Sequence, residues 1–124
     1  MQAAKLVGPA LVLKVPPGQV GFQFVSQGVD YPCCVTAVYS PAQALVAREA
    51  GASYVAVYVN RATRLMGDGI QLVRDVAEIL TGSSTEIIAA SVKSSEEACA
   101  SLAAGAQHLT LPYVVLTGLI AHPL

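Results

Sequence analysis

Leu11-Val12-Leu13-Lys14-Val15-Pro16-Pro17 is a run of aliphatic residues around one lysine, stopped at once by two prolines. Its short length, branched side chains and proline boundary predict a buried strand. Alternation along a strand puts Leu11, Leu13 and Val15 on one side and Val12 and Lys14 on the other. A lysine at the carboxyl end of a buried parallel strand points toward the place where α/β proteins put their chemistry. Burial there disfavours the ammonium and leaves a fraction of free amine. A free amine in a dry pocket adds to carbonyls and forms Schiff bases. The ordinary alternative for a strand-end lysine is to extend to water.

Downstream, strands and helices alternate to the end of the chain. Gln19 to Gln27 is expected to be a helix because Val20, Phe24 and Gln27 fall near helical spacing, with Gly28 as its stop. Cys33-Cys34-Val35-Thr36-Ala37-Val38 reads as a second strand, and Ser40-Pro41 announces a helix from Ala42 to Ala50 closed by Gly51. Tyr54 to Val59 is a third strand, followed by an expected polar loop from Asn60 through Arg64 to Gly67. Asp68 to Leu80 is a helix with Ile70, Val73, Ala77 and Leu80 on one stripe. Ile87 to Ser91 is a fourth strand, and Ser94-Ser95-Glu96-Glu97 is a capping box leading a helix through Ala98 to Ala104. His108 to Leu111 is a fifth strand, and Pro112 opens a last apolar segment. Such alternation implies a parallel sheet, hence an α/β fold. Ala50-Gly51-Ala52 and Ala104-Gly105-Ala106 echo each other at helix-to-strand junctions, as expected in a parallel (β/α) barrel of TIM type and also in flavodoxin-like sheets. Five strands do not close a barrel of eight.

At 124 residues the chain is expected to form one domain, 1–124. Hydrophobic residues make up 54% and charged residues 12%, so an isolated globule would leave apolar surface in water. Association with copies of itself, a homo-oligomer, follows as an expectation, as does membership of a larger fold. A net charge of −1 without any basic cluster argues against a nucleic-acid partner. No run approaches the ~18 apolar residues of a membrane span. The segment before Val15 faintly resembles a signal peptide, with Lys5 ahead of apolar residues. Pro9 and Lys14 break it, and a cytoplasmic location is expected. Cys33, Cys34 and Cys99 lack metal-site spacing and are expected to be reduced and buried, with Cys33 and Cys34 on opposite faces. His108 and His122 are isolated and read as packing or surface residues. No metal or organic cofactor is implied.

The polar residues Lys14, Thr36, Tyr58 and Ser91 interrupt the strands, each at or near a carboxyl end. Alternation places Val12, Cys34, Ala56 and Ala89 on the same side, two residues earlier. An amine, two hydroxyls and a phenol would thus crown one face, where barrel enzymes carry their sites; Thr and Tyr are also simply good strand formers. Arg61, three residues past Tyr58, offers a forked donor for phosphate, and Lys93 stands before a capped helix whose free amides favour an anion. Both also read as ordinary solvated residues.

Leu13-Lys14-Val15-Pro16, Thr36-Ala37-Val38-Tyr39, Tyr58-Val59-Asn60-Arg61, Ala89-Ala90-Ser91-Val92-Lys93 and Thr110-Leu111-Pro112 together resemble the fructose-6-phosphate aldolase branch of the transaldolase family, in order and in spacing. The resemblance runs from about Leu11 to the end. It implies that Lys14 is the Schiff-base lysine and that Tyr58 assists proton transfer through a water that Thr36 also holds. It implies that Arg61 and Ser91 take the phosphate of a sugar phosphate, or that a simple ketone donor occupies the site without one. Tyr58 favours the aldolase branch, since transaldolases proper usually carry Phe there. It also implies that the chain corresponds to strands four to eight, the C-terminal portion of a (β/α)8 barrel. The earlier strands would supply an aspartate, an asparagine and a water-holding glutamine. The alternatives are a transaldolase transferring a dihydroxyacetone unit, a non-catalytic partial-barrel module, and a phosphate-binding flavodoxin-like domain.

Overall fold

A computed structural model describes residues 11–124, so the signal-like features at Lys5 and Pro9 lie outside the described residues. The elements are β1 (Leu13–Val15), α1 (Gln19–Ser26), β2 (Cys33–Val38), α2 (Pro41–Ala50), β3 (Tyr54–Tyr58), α3 (Val59–Met66), α4 (Gly69–Leu80), β4 (Glu86–Ala90), α5 (Ser95–Ala103), β5 (His108–Leu109) and α6 (Tyr113–Gly118). The five strands form one sheet in chain order, β1-β2-β3-β4-β5, every pair parallel. In register, Lys14 lies beside Cys34, Cys34 beside Tyr54, Ala56 beside Ile88, and Ile88 beside His108.

One face of the sheet is sealed. Val35, Val55, Val57, Ile87 and Ala89 are almost completely buried in a cluster with Ala44 and Ala47 of α2, Val73 and Val76 of α4, and Ala98 of α5. Small helix residues let the helices approach the branched strand residues closely, and burial of this apolar face is the main stabilising term. The two echoed junctions are alike in three dimensions. Gly51 and Gly105 take positive φ (95° and 122°), and the next amide reaches back five residues, Ala52 to Ala47 and Ala106 to Ser101. This is the left-handed helix stop that glycine permits.

The expected polar loop after β3 is instead helix α3. Val59 and Ala62, three apart, are fully buried, and Arg64 Nε donates to Asn60 Oδ1 across one turn at 3.0 Å. The polar residues between them masked that short apolar stripe. The aromatic spacing in α1 misleads in the opposite way: Gly21 and Val25 are buried, while Val20 (79% exposed) and Phe24 face outward. In α6 Val115 is the buried residue, and β5 is two residues long rather than four. Cys33 and Cys34 are buried as expected, but Cys99 is exposed on α5.

Helix α4 is seated on α3 through Gly69. Its amide donates to Thr63 Oγ1 at 2.9 Å, and Thr63 Oγ1 in turn donates to the Val59 carbonyl at 3.1 Å. A Cβ at position 69 would collide with the Val59 carbonyl oxygen and lie 2.8 Å from Thr63 Oγ1. Gly69→Ala is therefore expected to destabilise the fold by about 1–3 kcal/mol, the range for overpacked sites. Urea melts check this, and an unchanged midpoint would show that α4 can shift freely.

Candidate active site

The second face of the sheet is open, and at the carboxyl ends of its strands it carries a groove of about 400 Å³. Lys14, Thr36, Tyr58, Arg61 and Ser91, from β1, β2, β3, α3 and the turn after β4, all line it. Cys34, Ala56, Ile88 and Ala90 form its floor, and Lys93 and Thr110 complete the rim.

Two backbone irregularities aim these side chains. Ala37 takes φ 54°, and between Val35 and Val38 the β2–β3 register shifts. The bulge leaves Thr36 in the groove while Val38, which strict alternation would put on the same side, is fully buried in the core. Ser91 takes φ 55° directly after β4. The expectation that Ala89 shares its face is therefore overturned. Ala89 is fully buried in the core cluster, and Ser91 reaches the groove through the left-handed turn, beside Ile88 and Ala90. Alanine and serine pay a steric penalty at positive φ, and such residues recur where structure serves a site.

The groove is internally bonded. The Thr36 and Tyr58 hydroxyls are 3.0 Å apart in a hydrogen bond that either can donate. The Tyr58 ring meets Tyr39 edge-on at 5.9 Å, and the Arg61 guanidinium carbon lies 5.3 Å from its centroid. That cation–π contact lays the fork of Arg61 across the Tyr58 ring, toward the groove both side chains line. The Arg61 amide donates to Ser91 Oγ at 3.3 Å and the Asn60 amide to the Ser91 carbonyl at 2.9 Å, so two donors of the first α3 turn bind the β4 turn.

Lys14 itself is exposed, the ordinary outcome for a strand-end lysine and not the buried, dry setting that would favour a free amine. The reason is topological: among the described residues β1 is an edge strand with one neighbour, and nothing covers the open face above it. Beside it, burial pushes the Cys34 thiol upward, the Lys14 charge opposes that shift, and Cys33 adds to it. Burial likewise raises the Cys33 thiol. Both thiols stay protonated at neutral pH, which suits packing, in the groove for Cys34 and in the core for Cys33, and not attack. His108 lies away from this end of the sheet, its Nε2 3.2 Å from Glu86 Oε1 and its ring edge-on to Tyr54.

A strand-end lysine, a hydroxyl pair and a guanidinium thus line one groove on the open face of a parallel (β/α) sheet. The family profile described as Transaldolase/Fructose-6-phosphate aldolase matches residues 2–124, and the chain belongs to that family. Its fold is five βα units of a TIM-type barrel. It is 40% identical over 122 residues to a "Probable transaldolase" of Hydrogenobaculum sp. (strain Y04AAS1), covering 95% of this chain and 56% of that protein. It is 38% identical over 124 residues to a "Probable transaldolase" of Aquifex aeolicus (strain VF5), covering 95% and 56%. The chain thus spans little more than half the length of these relatives. A crystal structure of mandelate oxidase is similar in fold alone, with TM-score 0.58 and 20% identity over 73% of this chain and 29% of that one. No helix among the described residues is long and apolar enough to cross a membrane.

Proposed function

We propose that this chain carries the imine-forming and phosphate-binding half of a class I aldolase acting on sugar phosphates, and corresponds to the C-terminal portion of a (β/α)8 barrel. The observation that carries the reading is the convergence of Lys14, Thr36, Tyr58, Arg61 and Ser91 on one groove. The Lys14 amine adds to the ketone carbon of the donor, and loss of water gives the imine. A base then takes the proton from the C4 hydroxyl of fructose 6-phosphate, and the C4–O pair forms a carbonyl as the C3–C4 bond breaks. Glyceraldehyde 3-phosphate leaves, and the C3–C4 electron pair flows into the protonated imine to leave an enamine. Protonation at C3 and hydrolysis return the lysine and release dihydroxyacetone. Tyr58 and Thr36, already bonded to each other, hold and orient the water that moves these protons. Arg61 and Ser91 bind the phosphate, and Lys93, which lines the same rim, adds a second cation.

Tyr58 favours direct aldol cleavage. The name "Probable transaldolase" carried by the relatives favours transfer of the dihydroxyacetone unit to an acceptor aldose phosphate instead. Free dihydroxyacetone formed from fructose 6-phosphate without an acceptor distinguishes the two. The open sheet edges and the exposed Val20, Tyr113, Val114 and Ile120 accord with a homo-oligomer.

The test is reductive trapping. The chain is treated with dihydroxyacetone and borohydride, and its peptides are weighed. A mass increase confined to the Lys14 peptide supports imine chemistry. A folded protein with no labelled lysine would leave a non-catalytic module as the better reading.

A further inference from the structure

Two separate pieces of chain carry the phosphate-binding groups: the start of α3 holds Arg61, and the β4–α5 turn holds Ser91 and Lys93. Something must keep these two banks at a fixed separation, because a forked donor and a hydroxyl recognise one phosphate only at one spacing. Glu97 is placed to do this. Its Oε1 accepts the Lys93 amide at 2.7 Å, and its Oε2 accepts from Asn60 Nδ2 at 3.0 Å. Its own amide donates to Ser94 Oγ at 3.1 Å, so the side chain springs from the capped first turn of α5. A carboxylate is favoured at this end of a helix. The opposite bank is tied in as well, since Asn60 Oδ1 accepts from Arg64 Nε at 3.0 Å. Glu97 does not line the groove.

We infer that Glu97 is a positioning residue, a two-armed clamp that holds the Arg61 helix start against the Ser91–Lys93 turn. The inference rests on the phosphate reading proposed above, and its geometry can be tested apart from it. Charge alone and position alone predict opposite outcomes. Removing a nearby carboxylate would tighten an anion by relieving repulsion, whereas loss of a clamp would weaken it.

The experiment measures binding of inorganic phosphate by NMR titration, together with hydrogen exchange at the Lys93 amide. Glu97→Ala is expected to weaken phosphate about 5-fold and to speed Lys93 exchange, as losing one or two hydrogen bonds implies. Glu97→Gln keeps an oxygen for the Lys93 amide, so it should restore Lys93 protection and recover part of the affinity. Asn60→Ala cuts the other arm, weakening phosphate while leaving Lys93 protected; these two variants decide the matter if Glu97→Ala does not fold. Trapping of dihydroxyacetone at Lys14 should be the same in all three variants. Tighter phosphate binding in Glu97→Ala, or unchanged Lys93 exchange, would overturn the inference. A wild-type chain that binds no phosphate overturns the phosphate reading, and the Lys93 exchange of Glu97→Ala then decides the clamp alone.

Discussion

Lys14→Met is expected to abolish ketone trapping, while the unaltered chain traps a ketone yet cleaves fructose 6-phosphate at least about 100-fold more slowly than a full-length relative. The two halves of this expectation rest on different parts of the site. Imine formation needs an amine within reach of a carbonyl, and Lys14 is exposed at the rim of the groove. Turnover needs protons moved at C4 and C3 while water is kept from the enamine. The Thr36–Tyr58 pair supplies hydroxyls for this, but no carboxylate lines the groove among the described residues. General acid–base groups typically contribute 10²–10⁴-fold each, and the family resemblance implies that such groups come from strands before the fourth. Coverage of 56% of the relatives leaves room for them elsewhere in a whole barrel. Coupled assays on this chain and on a full-length relative, with borohydride labelling alongside, make the comparison. Equal turnover would show the earlier strands to be dispensable.

Much of the candidate site was legible because its signals are local. Lys14, Thr36 and Tyr58 stand out as polar residues in apolar runs, and period-two alternation put each on the open face together with Cys34 and Ala56. The same rule failed at Ser91, since alternation cannot anticipate a left-handed residue at a strand end. It placed Ala89 in the groove when Ala89 is in the core. The α3 helix was missed because its buried stripe consists of Val59 and Ala62 within a polar segment. Position along the chain likewise does not reveal that the β4–α5 turn brings Lys93 to the same groove as Arg61. The clamp at Glu97 was read only as half of a capping box. Its oxygen in fact reaches the amide of Lys93, one residue before the cap, and Asn60 lies 37 residues away in sequence. For Lys14 the sequence leaves a dry strand end and extension to water both open, because the dryness of a strand end depends on strands that pack across it.

Arg61→Ala is expected to weaken a sugar phosphate about 10- to 100-fold and to leave dihydroxyacetone trapping nearly unchanged. A hydrogen bond from a guanidinium to a phosphate contributes roughly 1.5–3 kcal/mol when partly shielded, which sets that range. Arg61 is exposed in this chain, so solvent screening places the result toward the lower end, about 10-fold. Its effect should fall with added salt, as for any unshielded charge. Arg61→Lys separates charge from shape: it keeps the cation but loses the fork and the guanidinium carbon 5.3 Å from the Tyr58 ring centre. An intermediate affinity is therefore expected for it. The neutral ketone serves as control for the second role of Arg61, since removing its side chain also frees the Tyr58 ring that is bonded through its hydroxyl to Thr36. If Tyr58 stays in place through Thr36 and Tyr39, trapping of dihydroxyacetone at Lys14 is preserved while fructose 6-phosphate loses affinity. Equal losses for the two ketones would mean that Arg61 acts by supporting Tyr58, and the assignment of the phosphate to this bank of the groove would fall.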